Sequence, residues 1–124
     1  MSKYEITIPR NWGTVEDYQS DRNNIASFNV FDENNNNISD AYKFVQIWIS
    51  NNGMIGFGTE LIRLAHNFEE GKEVKIIPSS KENGAQQSMG IFLTPESCEL
   101  VIKCENFKPI DTYIDEAKRE TNSN

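Results

Sequence analysis

Residues 43–68 read KFVQIWIS, NNGMIGFG and TELIRLAHNF, and the reading of this stretch decides the fold. In residues 42–50, Val45, Ile47 and Ile49 alternate with Phe44, Gln46 and Trp48. That period of two predicts a β-strand apolar on both faces, as a central strand covered on both sides would be. The alternative is that Phe44 and Trp48 form an exposed aromatic patch offered to a partner. Asn51-Asn52-Gly53 then predicts a turn, since Asn and Gly tolerate positive φ. Gly56-Phe57-Gly58 leads into a helix capped at Gly58 or Thr59. Leu61, Leu64, Ala65 and Phe68 stand at i, i+3, i+4 and i+7, which is one apolar helical face. Gly71 supplies the stop, placing the helix end near Glu69 or Glu70.

Working outward, Tyr4, Ile6 and Ile8 alternate up to Pro9 and predict a strand. Residues 10–24 hold no sustained period. Thr14 can cap one short helical turn there, anchored by Trp12, Val15 and Tyr18. Residues 25–31 predict a second strand, ended by the polar turn or flexible loop DENNNN at 32–37. Downstream, Val74 and Ile76 mark a strand over 72–77. A polar loop turns at Gly84, and Met89, Ile91 and Leu93 mark a strand over 88–93. Thr94-Pro95-Glu96-Ser97 is a tight turn with Pro95 at its second position, so CELVIKC at 98–104 is expected to pair back on 88–93. Ile110, Tyr113, Ile114 and Ala117 predict a short C-terminal helix docked on the sheet, fraying over 121–124. The fold class expected is α+β: one domain over 1–124, with a mainly antiparallel sheet of about six strands, one central helix and a short C-terminal helix.

The chain has 124 residues and a formal net charge of −7, enough length for one core without staples. The charge is uneven: residues 1–40 hold seven acids and three bases, residues 96–124 seven and four, and the middle five of each. Phosphate binding needs the opposite sign, so nucleic acid is not the expected partner, and a basic protein is. No apolar run approaches the roughly 20 residues of a membrane span, and the N-terminus lacks a secretory apolar segment. A cytoplasmic protein without membrane contact is therefore expected. Cys98 and Cys104 on one strand would stand roughly 20 Å apart, beyond the reach of a disulfide. Both are expected to be reduced and semi-buried.

Catalytic signatures are missing. The glycines at 53, 56 and 58 match neither Gly-x-Gly-x-x-Gly nor Gly-Lys-Ser/Thr, and apolar residues fill the gaps, so no phosphate cradle is expected. The lone His66 falls off the apolar stripe, and no nucleophile stands in sequence context with it. One His, no close Cys pair and no Asp-x-Asp loop argue against a metal site. Phe44, Trp48 and Tyr113 could stack on bases, but Lys43, Lys72 and Lys75 give only a modest basic patch for a single-strand nucleic-acid groove. No enzyme and no cofactor are expected.

The segments WISNNGMIGFGTELI and MGIFLTPESCELVIKC, with the size and acidity, resemble those of small cytoplasmic immunity proteins of bacterial toxin systems, including contact-dependent growth inhibition. The resemblance implies binding of a cognate toxin domain, often a basic nuclease, and occlusion of its active site or substrate groove. No functional residue carries over by motif, so the candidates come from the acidic ends of the chain. They are Glu16, Asp17 and Asp21, Asp32 and Glu33, and Asp115 and Glu116, with Trp12, Tyr18 and Trp48 as aromatic anchors. The competing expectations are another protein-binding module, such as a phage-encoded inhibitor or an adaptor, and a small enzyme with a scattered site.

Overall fold

The computed structural model describes residues 22–122. The strand expected at 4–8 and the candidates Trp12, Glu16, Asp17, Tyr18 and Asp21 lie outside the described residues. The fold is α+β, with two helices and antiparallel pairing. Among the described residues two sheets of two strands each stand where one sheet of about six is expected. The chain divides into two compact units, residues 40–106 and residues 1–39 with 107–124.

In the unit of residues 40–106, helix α1 spans Asn51–His66. It begins at Asn51, inside the stretch read as a turn, because Ser50 caps it. Ser50 sits in the extended region, and its Oγ accepts from the Gly53 N–H at 3.0 Å, satisfying one orphan donor of the first turn. The other end closes where the Asn67 N–H reaches the Leu64 carbonyl at 3.1 Å and the Asn67 side-chain amide donates to the Arg63 carbonyl. Arg63 and His66 occupy the last turn, where positive charge suits the helix dipole. Gly71 then turns the chain at φ +87°, with the Lys72 N–H on the Glu69 carbonyl.

The half-buried stripe of α1 runs through Gly53, Gly56, Phe57, Glu60 and Leu64, while Leu61, Ala65 and Phe68 face solvent. Gly53 and Gly56 therefore lie on the packed face. A Cβ on Gly56 would overlap the carbonyl oxygen of Gly90, so helix and hairpin meet backbone to backbone.

Strand β1, Glu73–Ile76, pairs antiparallel with β4, Leu100–Lys103, setting Val74 opposite Ile102 and Ile76 opposite Leu100. The ladder extends through the Cys104 N–H to the Lys72 carbonyl and the Gly71 N–H to the Cys104 carbonyl. Ile76, fully enclosed, and Cys104, 5% exposed, are the buried core of the described residues. Between these strands lies a second hairpin, β2 (Gln87–Ser88) with β3 (Ile91–Phe92). Met89 and Gly90 form its two-residue turn, both at positive φ, as a type I′ turn requires. The strand expected over 88–93 is thus folded on itself, and β4 pairs with β1 instead of with it. The turn after it is as read: the Ser97 N–H closes on the Thr94 carbonyl around Pro95. The loop turn at Gly84 also stands, with Ser80 and Gly84 exchanging both backbone hydrogen bonds.

In the other unit, helix α2 spans Ile110–Asn122, starting where the sequence places it and continuing past residue 121. Its N-terminus is tied down by the Arg22 carbonyl, which accepts from the Ile110 N–H, and by the Arg22 guanidinium on both oxygens of Asp111 at 2.9 and 3.1 Å. Tyr113 folds back so that its ring meets Phe107 edge to face and its hydroxyl accepts from the Lys108 N–H. Residues 25–31 are not a strand. They form one arm of an irregular hairpin, held by a single Phe31–Asn37 bridge and the Ile38 N–H on the Val30 carbonyl.

Candidate interaction surface

Residues 42–50, expected as the central strand, are neither strand nor helix, and no hydrogen bond joins the backbone of residues 44–49 to another described residue. Trp48 is 88% exposed, Phe44 77% and Ile47 62%, with Tyr42 and Val45 more than half exposed. Of the two readings of the Phe44/Trp48 face, the exposed one holds. At the C-terminal end of the segment half-buried Ile49 lies over Gly53 in the first turn of α1. From Ala41 to Thr59 the sole charged residue is Lys43. A contiguous apolar strip of this length is uncommon on the surface of a monomer.

The acidic candidates divide by what holds them. Asp32 serves its own loop: its carboxylate accepts from the backbone N–H groups of Asn34 and Asn36, both at 2.9 Å, and from the Asn36 side-chain amide. Asn35 takes a positive φ to complete the turn, so the run read as a turn or flexible loop is an ordered Asx turn. The Asn36 N–H lowers the Asp32 carboxyl most, desolvation opposes it, and the Asn34 N–H and the Asn36 amide add to the lowering, so the carboxyl lies below its ordinary value. Glu33 next to it is exposed, as are Asp115 and Glu116 on α2. Three ion pairs form among the described residues, Arg22–Asp111, Arg63–Glu60 and Lys103–Glu105, so Glu33, Asp115 and Glu116 have no cation within reach there. Asp111, which charge patterning did not single out beyond the helix start, does structural work beside Asp32 in the same unit, through its pairing with Arg22.

The candidates for chemistry stay apart in character. Cys104 is buried and Cys98 is exposed rather than semi-buried, and both are free thiols. His66 is exposed in the last turn of α1. A shallow cleft of 440 Å³ lies along the C-terminal half of α1, lined by Glu60, Arg63, Leu64, Phe68, Lys72 and Met89 among others. Neither cysteine nor His66 lines it, and the Arg63 guanidinium there is held by Glu60 at 2.8 and 3.1 Å. Among the described residues no three His, Cys, Asp or Glu side chains converge as a metal site. No described helix is long and apolar enough to cross a membrane.

Comparison of the chain with protein-family models, with curated proteins and with solved structures finds no match.

Proposed function

We propose that this protein is an immunity protein, which binds a cognate bacterial toxin domain of basic character and blocks its active site or substrate groove. The observation that carries the reading is the set of uncompensated carboxylates. Glu33, Asp115 and Glu116 are exposed and lack an ion-pair partner among the described residues, in a chain of net charge −7. Carboxylates that are not neutralised within their own chain supply charge for a cationic groove, where they stand in for substrate phosphates and speed encounter. Asp32 contributes to this field, but its oxygens are committed to the loop that presents Glu33.

The test is co-purification with the product of the neighbouring gene at low and high salt, in the wild type and in an Asp115→Lys/Glu116→Lys double variant. A basic toxin domain should be captured at low salt, released as salt rises, and held about tenfold more weakly by the variant. Capture indifferent to both salt and charge reversal would refute the electrostatic mechanism. A second reading, a phage-encoded inhibitor or an adaptor, is favoured by the exposed apolar strip at 42–49, through which binding would strengthen or hold steady as salt rises.

A further inference from the structure

From the unpaired strip and its sequence symmetry we infer that residues 43–49 form a self-complementary strand, whose occupant is the same strand of a second copy of this chain. The strip reads Phe44-Val45-Gln46-Ile47-Trp48: aromatic, β-branched, amide, β-branched, aromatic. It is chemically palindromic about Gln46. An antiparallel pairing centred there sets Phe44 opposite Trp48 of the second copy, twice over, and Val45 opposite Ile47, twice over. The two Gln46 amides meet on the dyad, each with a donor and an acceptor for the other. An isologous two-fold interface requires this reciprocity, since residue i must meet j while j meets i. Aromatic and β-branched cross-strand pairs are the favourable ones, and strand alternation puts both aromatic pairs on one face.

The free backbone agrees. Residues 44–49 make no backbone hydrogen bond to a described residue, which is the state of an edge awaiting a ladder. Coverage is adequate. Tyr42, Phe44, Val45, Ile47 and Trp48 are all more than half exposed. At roughly 100–200 Å² each they expose about 600 Å² per copy, so an interface that enclosed both faces of the paired strips would reach roughly 1,200 Å², the lower bound of a stable interface. Charge permits it too. The lone charge of the strip, Lys43, lies three residues from the dyad, so the two copies of it fall at opposite ends of the ladder. This inference goes beyond the immunity reading and gives Phe44 and Trp48 an occupant other than the basic partner. The two respond oppositely to salt. Screening the −7 of each copy strengthens self-association, whereas it weakens capture of a basic domain.

The experiment is sedimentation equilibrium of the full chain at low and high salt, for the wild type, Gln46→Lys, Gln46→Glu, and an equimolar mixture of those two variants. Gln46 is exposed, so neither substitution touches the core. The wild type should form dimers, more tightly at high salt. Each variant alone should dissociate about tenfold more readily, because like charges meet on the dyad, and the mixture should recover a heterodimer. A wild type monomeric at hundred-micromolar concentration overturns the inference, whatever the toxin assay reports. So do a dimer indifferent to Gln46 and slow amide exchange of residues 44–49 in a monomer.

Discussion

Gly56 and Gly58 stand two residues apart in the same helix, and replacing each by alanine should change stability in opposite directions. At both sites alanine gains the same helix propensity, about 0.8–1 kcal/mol, because glycine loses more backbone freedom on folding. Around Gly58 there is no atom within 4 Å of the added Cβ, and its backbone is already helical. Gly58→Ala should therefore stabilise the protein by close to that full amount. At Gly56 the new methyl overlaps the Gly90 carbonyl oxygen, with the Gly90 carbon at 3.1 Å and its Cα at 3.3 Å. The obstacle is backbone rather than a side-chain tip, and Gly90 is held at φ +75° by a two-residue turn. Helix and hairpin must then separate by about an ångström, an overpacking cost of roughly 1–3 kcal/mol or more. Net of propensity, Gly56→Ala should destabilise by about 1–2 kcal/mol. Urea denaturation of the two variants beside the wild type reads both numbers, with unchanged m-values licensing the comparison. If Gly56→Ala proves as stable as Gly58→Ala, the backbone contact between α1 and the β2–β3 hairpin is not there. The glycines would then be the turn residues that their composition suggests.

Ser50→Ala should cost about 1 kcal/mol and Ser50→Asp little, since the Gly53 N–H loses its acceptor in one and keeps it in the other; thermal denaturation of the pair checks this. Asp32 has its folded-state pKa depressed, so its contribution is present above the unfolded value near 3.8 and is lost as pH falls through the lower folded value. Amide resonances of Asn34 and Asn36 should follow that transition, and Asp32→Asn should abolish it; titration of both amides at or above the ordinary carboxylate value would contradict the loop bonding. Cys98 should react with a thiol reagent in the native protein while Cys104 reacts only as fast as the protein opens, a difference that mass spectrometry of the labelled peptides resolves.

What the sequence made legible was whatever depends on neighbours along the chain. Val74 and Ile76 alternate, and β1 is there with Ile76 at the centre of the core. Ile110 to Ala117 repeat with helical period, and α2 starts at Ile110 because Pro109 cannot continue an earlier helix. Pro95 and Gly84 mark their turns by local chemistry alone. Elements set by residues far along the chain were not legible. Gly56 reads as a turn residue until Gly90, thirty-four positions on, supplies the reason for a bare Cα. Met89 gives no sign of a turn, because a methionine at positive φ is held there by the hairpin and not by preference. With 88–93 consumed by its own hairpin, β4 takes β1 as partner, a pairing no periodicity specifies. Ser50 did carry a readable signal: a cap followed by a face of Gly53, Gly56, Phe57, Glu60 and Leu64, about two turns earlier than the run of leucines suggests. The carboxylate candidates were legible as charge, but not the division between Asp32, committed to its loop, and Asp115, which is free of ion pairs among the described residues.

The strip at 43–49 shows where local and long-range information part. Its alternation is as regular as that of β1, and its residues are more apolar, yet β1 is paired and the strip is not. Strand propensity measures fit to a pleated, half-buried surface, so it specifies a strand only once something supplies that surface. β1 finds it in β4, whereas no described strand hydrogen-bonds to the backbone of Phe44 to Ile49. A strong strand pattern to which no described strand of its own chain offers a ladder is free to pair with a ladder from outside. Symmetry about Gln46 narrows the source, because a hetero-partner imposes no reason for the pattern to read alike in both directions, while a two-fold axis through Gln46 does. Among the described residues only Ile76 and Cys104 are buried, so a dimer through the strip would add apolar burial that the described part of one chain does not supply. A folded state that binds its own kind gains stability with concentration, so self-association and folding become one equilibrium.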